Sequence, residues 1–227
     1  MREGGFSPKE RAKLVPVIRI SSRGDLEGSL GSAVRILKRG GVVAYPTETV
    51  YGLGVDVSCG QAVSDLFNLK GREEGRPILI LIPSTEALSR YAQSIPESAR
   101  RLASAFWPGG LTIVCRAKET VSPLLTGGTG KIGVRLSGNF IATAICRALG
   151  GAVTSTSANL SGFPPCTSAA QVLRAFPTGL SLVVDGGPCA ATAGSTVVDV
   201  TESPCRILRQ GVIPRESIES VVPVFTP

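Results

Sequence analysis

Apolar positions change their spacing along the chain, and the changes mark the elements. Leu26, Leu30, Ala33, Val34 and Leu37 recur at intervals that place them on one helical face. Asp25 stands where an N-cap is wanted, and Gly40-Gly41 stands where a helix stops. An apolar run over 42–45 then reads as a strand. The alternation continues: helices are expected over 61–69, 97–106, 141–148 and 169–175. Strands are expected over 78–82, 111–116, 132–136, 152–154, 182–184, 196–200 and 206–208. Helices separate the early strands, while the last three strands are joined by tight Gly, Pro and Ser connections. The pattern therefore predicts a mixed α/β sheet and not a purely parallel one.

Residues 1–24 read as an N-terminal arm, partly loose, whose apolar run from Val15 to Ile20 could form an edge strand. Residues 25–227 read as one domain, without internal repeat or interior linker. At 227 residues, 43% hydrophobic and 18% charged, the chain can build one sizeable core. It has no apolar run of the roughly 20 residues a membrane span needs, and its opening MREGGFSPKERAK has no apolar signal-peptide core. A cytoplasmic, membrane-free protein is expected.

The absence of histidine changes the picture most. It excludes Ser-His-Asp and Cys-His devices and histidine bases, and leaves Lys, Arg, carboxylates, hydroxyls and backbone amides for any chemistry. The six cysteines are scattered singly with no C-x-x-C pair, so no zinc site is expected. They read as reduced structural thiols, the alternative being a Cys189–Cys205 disulfide. A net charge of +7 suits an anionic partner, nucleotide or nucleic acid, and suits a basic solvated surface equally well.

Three segments could carry chemistry. Tyr45-Pro-Thr-Glu-Thr-Val-Tyr-Gly-Leu-Gly54 leaves the end of an apolar strand, where ligands of open α/β sheets sit; it also reads as a plain turn with a helix cap. It is not a Walker A loop. Lys70-Gly71-Arg72, with Arg76 beyond, ends a helix, where basic residues are favourable in any protein. Gly71 would let an ammonium and one or two guanidiniums converge on a polyphosphate, with Glu73 and Glu74 as counterweights. Ser155-Thr-Ser-Ala-Asn-Leu-Ser-Gly162 packs hydroxyls and an amide into a loop, as phosphate or ribose recognition requires and as ordinary turns also do.

Together these segments resemble the YrdC-like family of threonylcarbamoyl-AMP synthases, over roughly residues 26–215. The likeness rests on P-T-[ED]-T-x-Y-G-L at Pro46–Leu53, then K-x-R at Lys70-Gly-Arg72 and S-x-N at Ser157-Ala-Asn159. It implies a twisted mixed β-sheet flanked by helices with a basic concave cleft for ATP and L-threonine. By position, Thr49, Arg135 and Ser195 are similar to threonine contacts, with Ser155 near the amino acid. Lys70, Arg72, Ser157 and Arg209 correspond to nucleotide contacts, Asn159 belongs to the same wall, and Arg76 and Lys131 line the nucleotide pocket. Lys70 and Arg72 are the residues expected to carry catalysis. Leu81 replaces a histidine that some relatives place near the threonine, and Pro165 a serine near the nucleotide. The chain looks like the short form that lacks an extra C-terminal domain.

The implied reaction is adenylylation: L-threonine and bicarbonate or CO2 give a carbamate, which attacks the α-phosphorus of ATP and expels pyrophosphate. Mg2+ is expected on the ATP phosphates, with no resident metal. The implied partner is a transferase that moves the group to tRNA adenosine, and weak RNA affinity is a further expectation. Two rivals remain at this point: a basic-cleft RNA-binding module, which the few aromatic residues do not favour, and a domain that handles carbamoyl-adenylate.

Overall fold

A computed structural model describes residues 14–71, 75–191 and 193–225. In chain order the elements are β1 (Val17–Arg19), α1 (Leu26–Lys38), β2 (Val43–Tyr45), β3 (Gly52–Gly54), α2 (Gly60–Lys70), β4 (Ile80–Leu81), α3 (Glu97–Phe106), β5 (Leu111–Arg116), α4 (Pro123–Thr126) and β6 (Lys131–Arg135). They continue with α5 (Phe140–Leu149), β7 (Val153–Thr154), β8 (Thr156–Ser157), α6 (Ala169–Ala175), β9 (Leu182–Asp185), β10 (Thr196–Asp199), β11 (Arg206–Arg209) and α7 (Arg215–Glu219). The α/β architecture with a mixed sheet flanked by helices agrees with the sequence pattern, but the strands divide into two sheets. One has the order β1-β9-β2-β3-β8, the other β11-β10-β5-β6-β4-β7. Both mix parallel and antiparallel pairs: β1 and β2 run parallel to β9, and β5 runs parallel to β10 but antiparallel to β6.

The chain crosses between the sheets at one residue. β7 pairs with β4 in the six-stranded sheet and β8 with β3 in the five-stranded sheet, and Ser155 alone separates them. Its amide donates to Leu79 O at 2.8 Å. Next to this joint, Tyr45 donates its hydroxyl to Thr154 O at 2.8 Å. β3 must pass close over that ring: a Cβ on Gly54 would stand 2.6 Å from Tyr45 Cε1 and 2.9 Å from Thr154 O. Only glycine fits there.

Strand periodicity assigns the faces. Along β5, β6 and β10, Ile113, Cys115, Ile132, Val134 and Val198 are buried in the main core with α2 and α3. Thr112, Val114, Lys131, Gly133, Arg135 and Val197, the alternate positions, line a cavity. A second core joins Leu37 of α1 and Ile141 and Ile145 of α5 to Val43, Tyr45, Leu182 and Val184.

The expected arm contributes to this second core. β1 is an edge strand, and Ile20 behind it is 1% exposed; residues 1–13 of the arm lie outside the described residues. Asp25 does occupy the N-cap position of α1 but makes no capping bond there. A 3-10 turn over Arg23–Asp25 precedes the helix, so the carboxylate turns back and accepts from the amides of Ser21 and Ser22, each at 2.8 Å. All six cysteines are free thiols, Cys189 and Cys205 included. Burial pushes the Cys115 and Cys146 thiols up to about 12, which keeps them protonated at neutral pH. Among the described residues no helix is long and apolar enough to cross a membrane.

Candidate active site

The cavity, of about 340 Å³, lies within the size range of small-ligand sites. Its floor is the alternate face of β5, β6 and β10, and the 45–54 turn, Ser155–Ser157 and Arg209 close its sides. Of the residues singled out in the sequence, Thr49, Lys131, Arg135, Ser155, Ser157, Ser195 and Arg209 converge on it. They come from five separate segments of the chain.

One end is built around Arg135, which is 3% exposed. Its Nε donates to Gly109 O at 3.0 Å, and its Nη2 donates to Thr49 Oγ1 at 3.1 Å and faces Glu48 Oε1 at 2.9 Å. Thr49 is itself fixed: its hydroxyl lies 2.8 Å from that of Thr47, which donates to Val50 O at 2.6 Å and accepts the Thr49 and Val50 amides. This is a local Ser/Thr turn that the proline-threonine start of the segment permits.

Across from it, the Ser195 hydroxyl lies 2.8 Å from that of Thr112 and accepts from Arg209 Nη2 at 3.0 Å. Arg209 also donates from Nε and Nη2 to Ser195 O, at 3.1 and 2.9 Å. Desolvation first, then the like charge of Arg135, lowers the Arg209 guanidinium from its ordinary value, yet an arginine remains cationic at pH 7. Gly211 makes this approach possible, since a Cβ there would meet the Gly194 and Ser195 backbone at 2.3 to 2.5 Å.

Lys131 marks the other end, with Nζ 2.8 Å from Asp199 Oδ2. Burial opposes the charge of Asp199, but hydrogen bonds from Lys131 and Thr201 outweigh it and hold the carboxyl below its ordinary value. Between the ends the floor is apolar, with Val114, Val197 and Leu79 around Gly133.

Lys70 stands behind this wall. It is 3% exposed, does not line the cavity, and directs Nζ to the carbonyl oxygens of Ser157 and Asn159, the latter at 2.8 Å. The Asn159 amide donates to Leu160 O and Phe163 O, at 3.1 and 2.6 Å, and so closes its own loop. Lys70 and the S-x-N segment are therefore neighbours although 87 positions separate Lys70 from Ser157. Arg76 is exposed and outside the cavity lining, and Arg72 lies outside the described residues. Leu81 is a core residue among Ile145 and Cys146, and Pro165 is half-buried away from the lining.

Glu48, Thr47, Thr112 and Ser137 were not assigned roles by the sequence reading. Glu48 and Thr47 lay in the open inside the first motif; Thr112 carries no local signal beyond its place in an apolar strand.

Comparison with known families decides what this arrangement belongs to. The family model Sua5_yciO_yrdC, described as telomere recombination, matches residues 35–211, a span holding every cavity residue named above. The chain belongs to the Sua5/YciO/YrdC family. A threonylcarbamoyl-AMP synthase of Pyrococcus abyssi is 40% identical over 196 residues, covering 86% of this chain and 58% of that protein. The threonylcarbamoyl-AMP synthase of Thiobacillus denitrificans is 38% identical over 183 residues, covering 81% of this chain and 96% of its own length. A crystal structure of P. abyssi Sua5 complexed with L-threonine superposes with a TM-score of 0.87 at 36% identity, covering 94% of this chain and 63% of that one. The chain thus spans less than two thirds of the Pyrococcus protein and nearly the whole of the Thiobacillus one.

Proposed function

We propose that this chain is a threonylcarbamoyl-AMP synthase, an L-threonylcarbamoyladenylate-forming nucleotidyltransferase that supplies the threonylcarbamoyl group for tRNA modification. Its catalytic unit is a single domain from residue 25 onward, braced by β1. The observation that carries the reading is the convergence of Arg135, Arg209, Lys131 and four hydroxyl residues on one cavity. The names and the bound threonine of the relatives support it.

The reaction must bring together two anions, a carbamate and a triphosphate. Repulsion between unit charges about 4 Å apart is on the order of 4 kcal/mol at an effective dielectric near 20, so fixed cations are required. Arg135 receives the threonine carboxylate, and Thr49, Ser155 and Ser195 orient the amino acid. Arg209, Lys131, Ser157 and Arg72 receive the nucleotide, with Arg76 at its outer edge. Lys70 and Asn159 hold the Ser157 wall in place, and Lys70 adds positive charge behind it. The carbamate oxygen attacks the α-phosphorus and pyrophosphate leaves with the bond electrons. No protein nucleophile takes part, in keeping with a histidine-free chain and protonated buried thiols.

ATP enters as its Mg2+ complex. Asp199, the carboxylate beside the cavity residue Lys131, is committed to that lysine. The ion would be held by the substrate phosphates. The product passes to a transferase acting on tRNA adenosine.

The test is pyrophosphate release by the purified protein. It should require ATP, L-threonine and bicarbonate together, with a threonine-containing adenylate as product by mass spectrometry. Release without threonine, or a plain carbamoyl-adenylate, would overturn the assignment.

A further inference from the structure

Glu48 has no role in the reaction as described, yet it ties the two walls of the cavity together. Its turn follows β2 of the five-stranded sheet, while its partners stand at the end of β6 in the other sheet and just beyond. Oε1 lies 2.9 Å from Arg135 Nη2 and accepts the Gly138 amide at 2.9 Å, and Oε2 accepts the Ser137 hydroxyl. Burial opposes the charge of this carboxylate, but Arg135, Gly138 and Ser137 together outweigh it and hold Glu48 below its ordinary value. The group is a committed anion and a poor general base.

The effect on Arg135 is geometric. A guanidinium has five N–H donors in a rigid plane. Nε is spent on Gly109, and the two protons of Nη2 on Thr49 and Glu48. Among the described residues, Nη1 makes no hydrogen bond and is the part left for a ligand. Without Glu48, one edge of the plane would lose its charged contact and the long side chain would regain rotamer freedom.

We propose that Glu48 is the positioning residue of the amino-acid end, holding Arg135 so that Nη1 meets the ligand carboxylate. The inference rests on reading this end as the threonine site, so wild-type binding is measured first. Titration calorimetry with L-threonine, and separately with Mg2+-ATP, gives both affinities, and thermal melting reports stability. If the wild type does not bind L-threonine, the reading of the site fails and this inference falls with it.

With binding established, Glu48→Ala should weaken L-threonine roughly tenfold or more and leave ATP affinity within about twofold. Glu48→Gln, which keeps an acceptor oxygen facing Arg135, should recover most of that loss. Ser137→Ala removes a holder of Glu48, along with an acceptor of the Asn139 amide at 3.2 Å, and should weaken L-threonine by roughly two- to fivefold, which keeps the test decisive where the Glu48 alanine variant does not fold. Unchanged L-threonine affinity in Glu48→Ala or Ser137→Ala would overturn the proposal. So would a parallel loss of both ligands that follows the fall in melting temperature, the signature of a merely structural role.

Discussion

The two ends of the cavity are built on different plans. At the Arg135 end nearly every polar atom already has a protein partner: three contacts fix the guanidinium, and Thr47, Thr112 and Ser137 hold the groups around it. At the opposite end the wall is thinner. Lys131 pairs with Asp199, Leu208 is 56% exposed, and Lys70 reaches the site through the carbonyls of Ser157 and Asn159. A wired end suits a small zwitterion whose carboxylate must be placed to within a fraction of an ångström. The more open end suits a large nucleotide that brings its own metal ion and much of its own charge.

The sharpest way to break this comparison is at Arg135. On the proposed reading Arg135→Ala removes the contact to the threonine carboxylate, and it takes from Glu48 its arginine partner, a loss of about 3 kcal/mol for a carboxylate that keeps some solvent contact. The expected result is a fall of two to three orders of magnitude in kcat/KM for threonine. A melting temperature lower by about 6–12 °C should accompany it, at roughly 2–4 °C per kcal/mol for a chain of this size.

Lys70→Ala tests the other end, and Arg72→Ala the nucleotide contact proposed for that arginine. Each should reduce pyrophosphate release by roughly two orders of magnitude, the loss of about 3 kcal/mol of transition-state stabilisation. For Lys70 the loss comes through the Ser157 wall, so L-threonine affinity measured without ATP should stay near the wild-type value. A matching loss of threonine binding would erase the distinction between the ends.

Gly211→Ala is a smaller perturbation that spares every polar side chain. The added methyl has no room against the Gly194–Ser195 backbone, so a cost of about 1–3 kcal/mol is expected in denaturant unfolding, with weakened threonine binding as Ser195 shifts.

The smallest effect is the pH dependence of stability. Glu48 and Asp199 both titrate below their ordinary values in the fold. Each therefore stabilises the protein above the unfolded carboxyl's value of about 4, and the contribution is lost as pH falls through the lower folded value. Asp199→Asn should flatten the acid limb of the urea midpoint only slightly, by under about 1 kcal/mol, because Lys131 is one-third exposed. Glu48→Gln should flatten it more.

The sequence showed the long elements and half-hid the rest. β5, β6 and β10 were legible because period-two alternation survives over four to six residues. β3 was not, since Gly52-Leu-Gly54 has no β-propensity and holds its place through Tyr45 and Thr154. The split of residues 153–157 between the two sheets turns on Ser155, a change of pairing partner that leaves no local trace in composition. The cavity residues were named from linked motifs, but motifs give positions and not partners. Nothing within reach of Glu48 along the chain pointed to Arg135, 87 positions away, or to Ser137 and Gly138 beyond it. Lys70 was legible as a cation, while its commitment to backbone carbonyls was not.

The single-residue crossing at Ser155 has a mechanical consequence. The two sheets meet at this joint with no slack, so a ligand bridging Arg209 on one leaf and Thr49 on the other would work as a clasp. Occupancy at a hundredfold excess over Kd adds about 2.7 kcal/mol to the stability of whatever it binds. Here that gain should appear as both leaves melting together, and hydrogen exchange on β3 and β10 should slow in step when the cavity is filled.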